Sequence, residues 1–217
     1  MKTAIETSQW AAEEFGQGLY ALTSFGNESA LLPNVLQNAG VETRFITIDT
    51  GFWFPETHDF KDRLTNRYSL DLRVYGPARE DIKTILKTRL WETDIDAYHE
   101  ITKHEPLRRA IGELGVTGLL AGVRGGQTAN RATLGQVVLG KEGETRIHPL
   151  LGWSEEQAAH YFKAHNLPRH PLYYRGYGSI GDWTLTKPGS GREGRELPAS
   201  ECGLHITEDG QLIRAAS

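Results

Sequence analysis

Apolar runs alternate with amphipathic stretches along much of the chain, and each such pair predicts a strand followed by a helix. From Gly18 to Leu36 the sequence GLYALTSFGNESALLPNVL passes from a short apolar run, through a turn of small polar residues, to a helical pattern that opens near Ser29. The next run, RFITID, carries bulky residues on both faces and ends at Asp49. Pro55 then suits the first turn of a helix. These residues predict two successive strand–helix units.

The same alternation continues as far as Arg124. LDLRVY and VTGLLAGV predict two further strands, and helical patterns follow Ala78 and run from about Glu105 to Leu114. Strands that alternate with helices predict an α/β fold in which a mostly parallel sheet is flanked by helices and binds ligands at the carboxyl ends of its strands. The turns at Ser24, Asp49 and Arg124 each follow such a strand, so we expect them to converge on one crevice.

After Arg124 the composition shifts toward Gly, Pro, His and Arg. Ser154 and Gln157 predict a capping pair for a further helix. The stretch KPGSGREGRELPAS, from Lys187 to Ser200, is rich in glycine and has little to bury. We therefore divide the chain into one α/β domain, residues 1–186, and a C-terminal segment, residues 187–217, which we expect to be mobile without ligand.

Composition narrows the classes of function. With 217 residues, 38% of them hydrophobic, the chain suits a single domain with a sizeable core. No run approaches the roughly 18 consecutive apolar residues of a membrane helix, and the N-terminal MKTAIETSQW lacks an apolar signal core, so we expect a cytoplasmic protein without a membrane partner. The formal net charge of -4 disfavours a nucleic-acid partner.

The cysteine count limits the metal chemistry. One cysteine allows neither an intrachain disulfide nor a zinc or iron–sulfur site built from the thiolates of a single chain. The histidines also lack the spacing of metal ligands. We therefore expect no bound metal.

Two polar turns are candidate ligand sites. The first joins a strand to a helix, where free backbone N–H groups and the helix dipole attract phosphate; its members are Ser24, Phe25, Gly26, Asn27, Glu28 and Ser29. The second suits a ribose or an adenine edge and consists of Asp49, Thr50 and Gly51. Each pattern is equally compatible with an ordinary turn at the end of a strand.

Arginines mark two further candidates. Arg124, Gln127 and Arg131 lie in RGGQTANR, where glycines allow close approach of the backbone and two guanidinium groups can grip phosphate or sulfate. Arg192 and Arg195 lie in the C-terminal segment, where they could clasp an anion as a lid closes. The alternative for both pairs is an ordinary solvated surface.

Cys202 is the candidate nucleophile. It lies in SECGLH, flanked by charged and small residues and followed by His205, rather than in the apolar surroundings of a buried structural cysteine. This setting predicts an exposed thiol that can form a reactive thiolate.

Several segments resemble the phosphoadenylyl sulfate reductase family over nearly the whole chain. They are LTSFGNESALL, ITIDTGFWFPETHDF, KHEPLRRAI, AGVRGGQTANRA, IHPLLGW, HPLYYRGYGSIGDW and ECGLH, the last of which is the most specific because it holds the nucleophilic cysteine of that family. The resemblance implies a fold like that of the adenine-nucleotide alpha-hydrolases with a modified PP-loop, so that residues 1–186 bind nucleotide and the C-terminal segment carries the catalytic cysteine. It also implies a homodimer that takes electrons from reduced thioredoxin or glutaredoxin.

Departures from the relatives refine this expectation. Related adenylyl sulfate reductases hold a [4Fe–4S] cluster with four cysteines, and the corresponding positions here are Tyr98, His99, Asp182 and Leu185. The resemblance therefore implies an enzyme without a bound cofactor, and it favours the 3'-phosphorylated substrate. Phe25 replaces a glycine of the pyrophosphate loop found in ATP-cleaving relatives, which disfavours ATP cleavage.

The implied reaction is attack by Cys202 on the sulfur of 3'-phosphoadenylyl sulfate, which leaves a cysteine S-sulfonate. An external dithiol then releases sulfite, because the chain has no second thiol. His205 could orient or assist Cys202, and the arginines would hold the phosphates. Three alternatives remain open: reduction of adenylyl sulfate without a cluster, a PP-loop nucleotidyltransferase or ATP pyrophosphatase, and a nucleotide-binding module without catalysis.

Overall fold

A six-stranded, mostly parallel sheet organises the part of the chain that the computed structural model describes, residues 3–127, 131 and 133–189. The strands are β1 (Leu19–Leu22), β2 (Arg44–Ile48), β3 (Leu72–Tyr75), β4 (Gly118–Ala121), β5 (Val137–Leu139) and β6 (Thr145–Ile147). They lie in the order β3-β2-β1-β4-β6-β5. All neighbouring strands are parallel except β5 and β6, which are antiparallel. The fold class predicted from the alternating pattern is confirmed.

Helices join and cover these strands. They are α1 (Ala4–Phe15), α2 (Leu31–Asn38), α3 (Pro55–Tyr68), α4 (Arg79–Thr88), α5 (Leu90–Thr93), α6 (Ile95–His99), α7 (Glu105–Leu114) and α8 (Glu155–Ala164). Pro55 occupies the first turn of α3, and Ser154 forms a capping box with Gln157 at the start of α8, both as the sequence predicts. Helix α2 begins at Leu31 rather than near Ser29, because residues 27–30 form a turn.

Helices pack on both faces of the sheet. All residues of β1 and β4 are buried, which explains why their sequences are apolar without alternation. On one face Tyr20 and Leu22 of β1 pack in the same cluster as Ile111 of α7. On the other face, residues 19 and 21 of β1 pack against α1 and α2 through residues such as Ala11 and Leu36. This two-sided core fixes the carboxyl ends of β1, β2 and β4 relative to one another.

The chain beyond α8 folds back on itself. Gly189 forms a short parallel bridge with Tyr177, and the N–H of Gly178 donates to the carbonyl of Gly189 at 2.8 Å. The first residues of the predicted C-terminal segment, 187–189, are therefore held against the domain. The rest of that segment lies outside the described residues. No helix in the described ranges is long and apolar enough to cross a membrane.

Candidate functional site

A cavity of about 420 Å³ opens at the carboxyl ends of β1, β2 and β4, within the size range of small-molecule sites. The three turns that were expected to converge all contribute to it. Of the predicted substrate-binding residues, those that line the cavity are Ser24, Gly26, Asn27, Glu28, Ser29, Thr50, Arg124, Gln127 and Arg131.

Phe25 does not line this cavity. Its side chain is buried in the core and packs edge-to-face on Trp53, with the ring centroids 6.2 Å apart. Its backbone has φ of 50°, in the left-handed region that favours glycine. The aromatic anchor thus holds the turn after β1 in a conformation that costs free energy, as is common where a loop shapes a site.

Asp49 and Gly51 also lie off the cavity wall and form the turn after β2. The Asp49 carboxylate accepts the N–H of Gly51 at 2.9 Å, and Gly51 has a positive φ of 78°. Thr50, between them, lines the cavity, and its hydroxyl donates to Oδ1 of Asp182 at 2.6 Å. The turn therefore presents a hydroxyl rather than a carboxylate to a ligand.

Arg124 is a buried cation at the cavity wall. Only 2% of its surface is exposed, and Nη2 lies 2.6 Å from both carboxylate oxygens of Glu28 and 2.9 Å from Glu155. Gln127 donates to the same Glu28 carboxylate at 2.9 Å and contacts Arg131 through its carbonyl oxygen. Nη1 of Arg124 is buried and has no hydrogen-bond partner among the described residues. A buried donor of this kind is suited to an oxygen of phosphate or sulfate.

The structure adds a cation that sequence reasoning missed. Lys103 lines the cavity from a π-helical turn (Glu100–His104) between α6 and α7, and its Nζ lies 2.9 Å from Oδ2 of Asp182. Such turns occur frequently at functional sites. The motif KHEPLRRAI contains this lysine, but a helical pattern alone does not distinguish a buried lysine from a solvated one.

Residues 178–182, which we call the wall segment, form one side of the cavity. Nδ2 of Asn27 donates to the carbonyls of Tyr177 at 2.8 Å and Gly178 at 2.7 Å, which ties the start of the segment to the turn after β1. Asp182 holds its other end through Thr50. In the sequence these residues stand out only as part of the motif HPLYYRGYGSIGDW. Their role could not be predicted, because it depends on contacts with distant parts of the chain.

The positions that carry cluster cysteines in iron–sulfur relatives come together in space. The Tyr98 hydroxyl donates to Oδ2 of Asp182 at 3.0 Å, and Leu185 packs in the same buried cluster as Tyr98. These side chains supply no thiolate. Within the described ranges no group of three or more His, Cys, Asp or Glu side chains is arranged to hold a metal ion. The predicted residues Arg192, Arg195, Cys202 and His205 lie outside the described residues.

The chain matches the family model of the phosphoadenosine phosphosulfate reductase domain over residues 18–188. It belongs to the phosphoadenosine phosphosulfate reductase family. The phosphoadenosine 5'-phosphosulfate reductase of Synechococcus sp. is 39% identical over 94% of this chain and 93% of its own length. The enzyme of the same name from Synechocystis sp. is 35% identical over 99% of this chain and 92% of its own length.

Solved structures agree with this membership. The phosphoadenylyl-sulfate reductase of Candida auris, in a phosphate complex, superposes with a TM-score of 0.75 at 30% identity, over 86% of this chain and 91% of that one. The FMN adenylyltransferase of Candida glabrata reaches a TM-score of 0.65 at 16% identity, over 85% of this chain and 63% of that one. At that identity the second likeness indicates a shared fold alone.

Proposed function

We propose that this family member reduces 3'-phosphoadenylyl sulfate to sulfite and adenosine 3',5'-bisphosphate in sulfate assimilation, with Cys202 as the nucleophile. The observation that carries the proposal is the cavity at the strand ends, where the buried Arg124 has an open donor, in a chain whose relatives bear the name of this activity. Arg131 and Lys103 add two cations to the same cavity. Three cations suit a nucleotide that carries more than one anionic group.

The turn after β1 also bears on the alternative of a nucleotidyltransferase or ATP pyrophosphatase. A pyrophosphate loop that cleaves ATP wraps its backbone around the leaving group, for which small residues are suited. Here Phe25 holds the second position of the loop, with its side chain buried in the core. A bulky residue where small residues are suited favours the reductase over a nucleotidyltransferase.

The chemistry follows from a single thiol. The Cys202 thiolate forms a bond to the sulfur of the substrate, and the S–O bond breaks with its electron pair going to the phosphate oxygen of adenosine 3',5'-bisphosphate. The product on the protein is a cysteine S-sulfonate. A thiolate of reduced thioredoxin or glutaredoxin attacks Sγ of Cys202 and expels sulfite, and its second thiol then closes a disulfide and frees Cys202.

The remaining expectations belong to this proposal. Arg192 and Arg195 hold anionic groups of the substrate, and His205 orients or assists the thiolate. The reaction needs no bound metal or flavin, since the electrons come from the external dithiol. A reducing cytoplasm suits an enzyme that depends on a free thiol, so we expect the protein to act there. We also expect it to form a homodimer.

The test compares the parent with Cys202→Ser. We expect the parent to form sulfite from 3'-phosphoadenylyl sulfate with reduced thioredoxin, whereas the variant binds adenosine 3',5'-bisphosphate with the parent's affinity and forms no sulfite. Serine keeps the size of the side chain but lacks a thiolate. Adenylyl sulfate, assayed in parallel, tests the preference for the 3'-phosphate. Sulfite formation by Cys202→Ser at the parent's rate would refute the mechanism, and ATP consumption by both proteins would favour the nucleotidyltransferase.

A further inference from the structure

Asp182 is a buried carboxylate at the end of the wall segment, and three donors from two other parts of the chain meet it. Its Oδ1 accepts the Thr50 hydroxyl at 2.6 Å, and its Oδ2 accepts the Tyr98 hydroxyl at 3.0 Å and lies 2.9 Å from Nζ of Lys103. Only 1% of its surface is exposed. A carboxylate is buried at little cost only when its oxygens are bonded and its charge is balanced.

Lys103 depends on this carboxylate. Its side chain is buried, and apart from the ion pair with Asp182 its Nζ has no hydrogen-bond partner in the described part of the chain. An ammonium group has three donors, so the ion pair leaves donors open beside the cavity that Lys103 lines. Burial of an ammonium group without a counter-charge is costly.

Two cationic groups therefore lie on opposite sides of the turn after β1. Lys103 pairs with Asp182, which accepts from Thr50 after β2, whereas Arg124 and Arg131 belong to the chain after β4. Since β1 lies between β2 and β4, and neighbouring strands are separated by about 4.8 Å, the strands that these two turns follow are on the order of 10 Å apart. The cavity can thus contact two separate anionic groups of one ligand.

We propose that Asp182 is a positioning residue that acts through Lys103: its carboxylate balances the charge of the ammonium group and fixes it at the β2 side of the cavity, where Lys103 contacts an anionic group of the substrate. Thr50 and Tyr98 in turn orient the carboxylate. This inference rests on the proposed function, because it assigns Lys103 a contact with the phosphosulfate nucleotide.

The charge of Asp182 is the feature that distinguishes positioning from a purely structural role. In Asp182→Asn the amide oxygen still accepts from Thr50, and the amide nitrogen can donate to the Tyr98 hydroxyl oxygen. The amide cannot neutralise Lys103. A structural role requires only the hydrogen bonds, whereas the proposed role requires the carboxylate.

The test is a double-mutant cycle in kcat/KM for 3'-phosphoadenylyl sulfate with reduced thioredoxin. We expect Asp182→Asn and Lys103→Met each to lower kcat/KM on the order of 10- to 100-fold, the range for loss of one charge-assisted contact. The double variant should lose no more than Lys103→Met alone, because Asp182 acts through Lys103. The proposal would be overturned if the loss of kcat/KM in the double variant equalled the product of the two single losses. It would also be overturned if Asp182→Asn kept the kcat/KM of the parent.

A matched control is available in a second buried ion pair. Glu144 lies 2.6 Å from Nε of Arg146 and does not line the cavity. Glu144→Gln should also lower stability, yet leave kcat/KM of the folded protein at the parent's value. An equal loss of kcat/KM in Glu144→Gln would mean that breaking any buried ion pair suffices, and would refute a specific role for Asp182.

Failure of the proposed function can be distinguished from failure of the positioning role of Asp182. If the parent forms no sulfite, the proposed function is wrong, and the same cycle is then measured as the dissociation constant of 3'-phosphoadenylyl sulfate by calorimetry in the Cys202→Ser background. A Lys103-dependent loss of affinity in Asp182→Asn would support the positioning role even then. Unchanged affinity in all three variants would refute it.

Discussion

At the scale of single residues, the cavity uses buried charges that are only partly satisfied. Glu28 and Glu155 neutralise Arg124 and leave one of its nitrogens open, and Asp182 does the same for Lys103. Burying a cation without a counter-charge would be costly, whereas full satisfaction would leave nothing for a ligand. The arrangement gives a site that is stable when empty and still offers donors to an anion.

His170 is a buried histidine beside Thr57 of α3, and it predicts a pH dependence of stability. Its Nδ1 accepts the N–H of Leu172 at 3.2 Å, so Nε2 carries the proton and donates to Thr57 at 3.0 Å. Burial lowers its pKa from 6.5 to about 4. Protonation would break the bond from Leu172, because the acceptor would become a donor.

A histidine whose pKa falls on folding contributes stability that is fully present above its unfolded pKa of 6.5 and is lost as the pH falls toward 4. We therefore expect the free energy of unfolding to fall by about 2 kcal/mol between pH 7 and pH 4.5 through this residue. His170→Asn should be less stable at pH 7 but lose less on acidification. Urea unfolding at both pH values measures this, and an equal loss in parent and variant would contradict the assignment.

At the scale of elements, local signals located most helices and the strands that flank the cavity. Pro55 and Ser154 mark helix starts through their own backbone and side-chain chemistry, so the sequence predicts them. The strands β5 and β6 were not predicted, because three residues carry too little periodicity. The predicted start of α2, near Ser29, was too early, because a polar turn and a first helical turn share the same residue types.

The residues of the site also divide into those that local sequence signals predict and those that they do not. Turns that follow apolar runs, such as the one at Ser24, could be assigned to the crevice from topology alone. The contacts of Asn27 with Tyr177 and of Lys103 with Asp182 join residues far apart in sequence, and no local pattern encodes them. For the same reason the sequence could not show that Phe25 faces the core while its neighbours face the cavity.

The packing of α1 on β4 gives a prediction about element contacts. A Cβ added at Gly118 of β4 would lie 2.5 Å from Cγ of Phe15, at the end of α1. Phe15 would have to shift or the helix to move away, so we expect Gly118→Ala to lower the free energy of unfolding by about 1–3 kcal/mol. Gly112, within α7, is the control.

A Cβ at Gly112 meets no heavy atom of the described residues within 4 Å outside its own helix backbone. Gly112→Ala should therefore raise the free energy of unfolding by about 0.4–1 kcal/mol, since alanine restricts the unfolded chain and favours helix. Chemical denaturation of the two variants measures the contrast. A neutral or stabilising Gly118→Ala would mean that α1 is packed more loosely than the contact implies.

At the scale of the whole molecule, the binding residues of the cavity and the nucleophile are assigned to different parts of the chain. The sheet holds the three turns of the cavity in place through a core on both faces, and Asn27 and Asp182 fasten the wall segment at its two ends. The proposed nucleophile, Cys202, belongs to the C-terminal segment. Nucleotide affinity and thiol chemistry should therefore respond to separate substitutions.

This separation predicts a reaction that stops halfway without a reductant. The chain has one cysteine, so it cannot resolve its own S-sulfonate. Parent protein mixed with 3'-phosphoadenylyl sulfate alone should release one equivalent of adenosine 3',5'-bisphosphate per active chain and gain about 80 Da, the mass of one SO3 group, at the peptide that holds Cys202. Reduced thioredoxin should then remove the added mass and release an equivalent of sulfite. Intact-mass spectrometry follows both steps, with Cys202→Ser as the control that gains no mass. Repeated turnover to sulfite without any dithiol, or a sulfonate on another residue, would contradict the single-thiol mechanism.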